Sequence, residues 1–347
     1  MRYIQIIALT GVLSVAICVH SFKADAQTSS DFYKGKHLEF ITTSGTATSD
    51  DTWARLIARH LPRHIPGNPT MIVKNMPGGG HIRGSQFLFS VAPKDGTTIG
   101  IISRNIPTGY ALGNAQINFD VGKFEWLAST DQPTRVCAVV PTAKVQKGED
   151  LFTSELIVSG AGAGSATSTT PTLLKGLLGM KFRVIDGYKS STESVLAMER
   201  SEVEGICLTE AGMENQRPGW LAEGKLNVLF HFAKEPITRL KAPSVYDFTK
   251  TEEQRQIIAF YDSNAGLGRP MLAPPGVPAE RVEILRTAFD STFASAELIN
   301  DAKTQGLDHS PMTGLELKRR IDELLATPKS IIEATGKLLG TTNLSAQ

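Results

Sequence analysis

The chain has 347 residues and a formal net charge of +1. That balance excludes the basic excess of a nucleic-acid binder, and no polybasic run addresses an anionic membrane surface. Any anion the protein binds must be held by local geometry, not by a global field.

The first element is an export signal. Arg2 supplies a positive start, residues 4–19 (IQIIALTGVLSVAICV) form an uncharged apolar run, and Ala24-Asp25-Ala26 supplies small residues at the cleavage positions. The run is short for the ~20 apolar residues of a membrane-spanning helix. A lipid anchor on Cys18 would need a small residue before it, and Ile17 stands there. The expectation is a cleaved signal peptide over 1–26, Gln27 as first mature residue, and a periplasmic protein. Cleavage removes Arg2, Lys23 and Asp25 and leaves a formal net charge of zero. The remaining chain of about 320 residues is long enough for two domains.

Past the signal, HLEFIT (37–42) reads as a strand. In DTWARLIARHLPRHI, residues Trp53, Leu56, Ile57, His60 and Leu61 share one helical face, with Asp50 or Asp51 as cap. TMIVKNM (70–76) is a strand, PGGGHIRGSQFLFSVA a glycine loop running into a helix, and GTTIGIIS (96–103) a third strand. The pattern repeats with strands RVCAVV (135–140) and ELIVSG (155–160) and helix TPTLLKGLLG (170–179). Strand KFRVIDGY (181–188), helix TESVLAMERSEV (192–203) and strands GICLT and KLNVLFHF follow. A helix starts at Pro278 or Ala279, and one or two more close the chain, with a break after Thr327. Strands alternating with helices predict α/β architecture with mostly parallel sheets.

Cys137 and Cys207 remain after cleavage. In an exported protein they can pair, but both sit in apolar runs that suit buried free thiols equally. There is no CxxC and no Cys/His cluster, so neither a metal nor another cofactor is expected. His60 and His64 have metal-ligand spacing without a third ligand nearby, and read as packing or surface residues.

Three strand-to-helix loops share one design: TTSGTATSDD (42–51), NMPGGGHIRGS (75–85) and SGAGAGSATST (159–169). A helix start presents unpaired N–H groups and partial positive charge. Glycine lets a ligand approach that backbone, and hydroxyls add donors without charge. Such loops bind carboxylates or phosphates without Lys or Arg. A nucleotide is disfavoured, because no loop carries the Walker Gly-Lys-Ser/Thr and no G-x-G-x-x-G occurs. No G-x-S-x-G, H-E-x-x-H or S-x-x-K constellation points to catalysis.

The run HIPGNPTMIVKNMPGGGHIRGSQFLFSVAPKDGTTIGII (64–102) resembles the solute-binding receptors of tripartite tricarboxylate transporters, the TctC or Bug family. The matching motifs are Asn75, Met76, Pro77, Gly78, Gly79, Gly80 and then Ala92, Pro93, Lys94, Asp95, Gly96. GLGRPMLAPPGVPAERVEILRTAF (266–289) is similar to the family's apolar strand, APxGxP turn and helix. ATPKSIIEATGKL (326–338) is similar to the C-terminal region of one branch. The resemblance implies a type II periplasmic-binding-protein fold, two Rossmann-like lobes joined by crossing strands: 27–135 with 265–347, and 136–264.

It further implies a monomeric receptor, not an enzyme, that passes a small carboxylate to a membrane permease. The carboxylate classes are di- and tricarboxylates, acidic amino acids and aromatic acids. The residues so implied are Ser44, Gly45, Thr46, Ser49 and Asp51 in the first loop, and Pro77, Gly78, Gly79, Gly80 and His81 in the second. Ser103 and Arg104 are side contacts, and Ser165, Thr167, Ser168 and Thr169 close from the other lobe. One departure stands out: relatives carry two or three glycines in the first loop, and here Gly45 is alone. Either the ligand is shifted or smaller, or that loop no longer grips it. Two other uses of the cleft stay open: a sensor for a membrane kinase or chemoreceptor, and an exported hydrolase or isomerase.

Overall fold

The computed structural model describes residues 31–162, 165–188 and 191–340; the expected signal peptide lies outside the described residues. In chain order the first elements are β1 (His37–Thr42), α1 (Ser49–His60), β2 (Thr70–Asn75), α2 (Ile82–Ser90), β3 (Thr98–Ile101), α3 (Asn105–Ala111) and β4 (Glu125–Ser129). Then come β5 (Arg135–Val139), β6 (Leu156–Gly160), α4 (Ala166–Leu178), β7 (Phe182–Asp186), α5 (Ser191–Glu199), β8 (Gly205–Thr209), α6 (Glu210–Gln216), β9 (Asn227–His231) and α7 (Glu252–Gly266). The last are β10 (Pro270–Ala273), α8 (Ala279–Ala294), α9 (Ala296–Thr304), β11 (Met312–Thr313), α10 (Gly314–Leu325) and α11 (Lys329–Leu339).

Two sheets result, in orders β11-β4-β10-β3-β1-β2 and β7-β6-β8-β5-β9. Each has a parallel part, β2-β1-β3 and β7-β6-β8, and an antiparallel part around the strands that enter from the other lobe. The sheets are therefore mixed, where alternation alone predicts mostly parallel ones. The reason is that β10 and β5 enter their sheets after crossing between lobes and so run against their neighbours.

Apolar spacing positions α1 as expected: Trp53, Leu56, Ile57, His60 and Leu61 are all buried, against β1 residues Leu38 and Phe40. The cap differs. Thr48, not Asp50 or Asp51, accepts the N–H of Asp51, which frees the Asp51 carboxylate for another task. In the second lobe α4 begins at Ala166, four residues before the first Leu-periodic turn, because Ser165 caps it and accepts from the N–H of Ser168.

Two connections join the lobes, and they touch. The Ser129 hydroxyl donates to Leu267 O at 2.8 Å and accepts from the Arg269 N–H at 2.9 Å. Gly268, at φ +60°, packs so closely that a Cβ there would meet Asp131 O at 1.9 Å. Arg320 of α10 donates to Gly266 O and to Gln132 Oε1, tying both connections to one helix. α11 packs on α7 and on α4, so the C-terminal helix lies against the second lobe as well as the hinge.

Cys137 of β5 and Cys207 of β8 stand directly opposite in the antiparallel pair, are buried and are bonded to each other. The two alternatives left open by composition thus resolve to a disulfide inside the second lobe. It closes a separation of 70 residues. On chain entropy such a loop stabilises by about 4 kcal/mol. Urea unfolding of Cys137→Ala/Cys207→Ala is expected to show that loss, and an unchanged midpoint would contradict it.

Candidate ligand-binding site

The parallel register places the ends of β1, β2 and β3 side by side, with Thr42 paired to both Asn75 and Ile101. The first two loops and the Ser103–Arg104 segment therefore emerge at one edge of the first sheet.

The second loop is exposed along its glycines. Gly78, Gly79, Gly80 and His81 have φ of +136°, +55°, +60° and +76° in succession. Pro77 and the three glycines are exposed, and among the described residues no acceptor meets the N–H groups of Gly78, Gly79 or Gly80. Successive N–H groups turned this way at a helix start form a concavity suited to an anion. His81 is held back against the first loop, its Nδ1 3.0 Å from Thr43 Oγ1.

The first loop is internally braced. Asp51 accepts from the Ala47 N–H at 2.9 Å, from Asn75 Nδ2 at 2.8 Å and from Arg55. Asn75 also donates to Ser44 O and accepts from Arg55. Ser44 is buried, and its hydroxyl shares hydrogen bonds with those of Thr42 and Thr48. Asp51 and Ser44 thus shape the loop, while Gly45, Thr46 and Ser49 reach its surface. Ser49 accepts from Arg269, which is also ion-paired with Asp50 and Asp131.

Beside them Ser103 accepts from the Asn105 N–H. The half-buried Arg104 side chain has no hydrogen bond or ion pair among the described residues. Burial lowers its pKa and the nearby Arg269 and Arg135 add to this, opposed by Asp131 and Asp50. Arg135, by contrast, is paired with Asp262 at 3.2 Å and touches Thr170.

The described residues of the third loop bond to one another. Thr167 Oγ1 accepts from the Ala161 N–H, and Ser165 donates to Gly162 O. Ser168 donates to Asp186 Oδ1 at 2.6 Å, and Gly162 N–H donates to Ser168 Oγ and to the same Asp186 oxygen. Thr169 and Thr170 meet the Tyr261 hydroxyl at 2.8 and 2.7 Å. With α4 starting early, these hydroxyls sit in its cap and first turn. The sequence reading missed Asp186, Arg269, Asp131 and Tyr261; Arg269 alone carries a local signal, as the residue before the apolar strand PMLA.

A separate groove of about 760 Å³ lies beside the hinge, lined by Gln132, Tyr246, Asp262 and Arg320 among others; it includes none of the three loops.

Burial would raise the pKa of Asp51, but its bonds from Arg55, Asn75 and the Ala47 N–H prevail and hold it below 3.8. A depressed folded pKa stabilises above the unfolded value, and that stability is lost as pH falls through the folded one. Asp51→Asn should therefore cost about 2 kcal/mol at neutral pH. In urea titrations the gap to the unmodified protein should close as pH falls below 3.8. A gap independent of pH would refute the role.

The family model for the tripartite tricarboxylate transporter family receptor, TctC, matches residues 54–337. A TctC solute-binding protein from Polaromonas superposes with a TM-score of 0.69 at 17% identity, covering 87% of this chain and 99% of that one. An R. palustris protein with adipate gives 0.54 at 17% identity over 88% and 97%, and MatC from Rhodopseudomonas palustris with bound malate gives 0.51 at 16% over 87% and 99%. No curated protein sequence matches the chain significantly. With the family model spanning most of its length and two lobes joined by crossing connections, the chain belongs to the TctC family of tripartite tricarboxylate transporter receptors and has its two-lobed periplasmic-binding-protein fold.

Proposed function

We propose that this protein is a periplasmic receptor that captures a small carboxylate between its lobes and delivers it to the membrane permease of a tripartite transporter. The observation that carries this reading is the run of exposed, unaccepted N–H groups at Gly78–Gly80 on the start of α2. In this reading the acid group docks there, flanked by Gly45, Thr46 and Ser49, with Arg104 as the charged contact. His81 orients the turn through Thr43. Ser44 and Asp51 act behind the loop, and Ser165, Thr167, Ser168 and Thr169 shape the facing wall. Adipate and malate bound to structural relatives agree with the ligand class. The protein acts as a monomer, is exported with cleavage after Ala26, and performs no chemistry on its ligand. Its lobes, 27–135 with 265–347 and 136–264, rotate about the paired connections at Ser129 and Gly268.

Capture should appear as ligand-dependent stabilisation, about 2.7 kcal/mol at a hundredfold excess over Kd. A thermal-shift screen of di- and tricarboxylates, acidic amino acids and aromatic acids reads it, and no shift with any of them would defeat the reading. Gly78 combines φ +136° with ψ 149°, which a side chain does not tolerate. Gly78→Ala should turn the N–H groups away and weaken the best ligand more than tenfold, since each charge-assisted hydrogen bond contributes about 1.5–3 kcal/mol. Arg104→Gln should weaken it about tenfold while leaving the unfolding midpoint of the free protein nearly unchanged. Unchanged calorimetric affinity in both variants would move the site elsewhere.

A further inference from the structure

The parallel ends of β6 and β7 pair Gly160 with Asp186, so the last residue of β7 lies beside the third loop. These ends lie at the edge of the sheet where β5 enters from the hinge. β5 runs antiparallel to β8 and starts at the same edge, where Arg135 meets both Asp262 of α7 and Thr170 of α4. At this edge Asp186 does what a bound acid would do. Its Oδ1 accepts from the Ser168 hydroxyl in the first turn of α4 and from the Gly162 N–H in the loop before it. The seat is closely fitted, because a Cβ on Gly160 would meet Asp186 Oδ1 at 2.2 Å and Ser168 Oγ at 2.5 Å. Oδ2 makes no bond among the described residues, and Asp186 is exposed. Of the other charges at this edge, Arg135 is paired with Asp262 and Glu210 with Arg239.

We infer that Asp186 determines specificity: it sets the protein's own carboxylate beside the third loop and the first turn of α4, so the second lobe repels an acid group and takes an ammonium or other donor at the far end of the ligand. This rests on carboxylate capture by the first lobe. The cleft is then polar from end to end, with N–H groups and Arg104 on one wall and a carboxylate on the other. Specificity arises from repulsion of the wrong end as much as attraction of the right one. A second acid group would meet Asp186 as a like charge in a cleft that closure dries, where such repulsion is strongest.

The test is calorimetric titration of the full chain with 4-aminobutanoate, 5-aminopentanoate and 6-aminohexanoate, each against the diacid and the plain monoacid of the same carbon count. At the best chain length, the amino acid should bind at least tenfold tighter than the diacid. Asp186→Asn, which keeps the shape and an acceptor for Ser168, should bring the two within about threefold, weakening the amino acid and strengthening the diacid. A diacid that binds the unmodified protein as tightly as its amino counterpart overturns the inference, and that comparison needs no variant to fold. A ratio unmoved in a folded Asp186→Asn protein overturns it too. Should no carboxylate of any kind bind the unmodified protein, the capture reading itself falls and this inference falls with it; diacids that bind well leave capture standing and remove only the role of Asp186.

Discussion

A helix start must find acceptors for its backbone N–H groups, and three loops at this cleft meet that demand in different ways. In the first, Asp51 takes the Ala47 N–H, and Thr48 takes that of Asp51. In the third, Asp186 and the hydroxyls of Ser165, Thr167 and Ser168 take the donors. The second, built of Gly78, Gly79 and Gly80, leaves all three of its glycine N–H groups without an acceptor among the described residues. Two loops thus bond part of their backbone to the protein's own side chains, while the glycine turn bonds none of its three glycine N–H groups among the described residues.

The glycine-poor first loop is braced by Asp51 through the Ala47 N–H. Its service is indirect: Asn75, the residue on which β2 ends, is clamped between Ser44 O, Asp51 and Arg55. The glycine turn starts three residues later, at Gly78. Bracing of the first loop therefore fixes the origin of the second, and a carboxylate docked at Gly78–Gly80 would rest on a rigid base.

Much of this was legible in the sequence, and the limits have physical causes. Apolar periodicity located β1, β2 and α1 within a residue or two, because burial on one face dictates it. The motif from Asn75 to Gly80 identified the open loop, because the backbone there needs glycine. What one sequence does not display is which side chains meet across the fold. Asp186 lies 18 residues beyond Ser168, in a strand that reads as ordinary, and only the register of β6 on β7 brings them together. The pairing of Arg269 with Asp50 and Asp131 likewise joins three distant parts of the chain. The antiparallel entry of the crossing strands was hidden for the same reason: it is a property of topology, and local alternation of helix and strand does not encode it.

The hinge and the cleft share these long-range contacts. Arg269 sits on a crossing connection, beside Gly268, and its guanidinium reaches Ser49 and Asp50 at the start of α1. Arg135 opens the other lobe's first strand and reaches Asp262 on the helix that leads back. Between them stands Arg104, without a partner of its own among the described residues and close enough to both for their charges to act on it. An anion placed against Arg104 would relieve repulsion from two arginines that hold the hinge. The charge of the ligand would then be felt where the lobes turn, which is the coupling that closure on a bound solute requires.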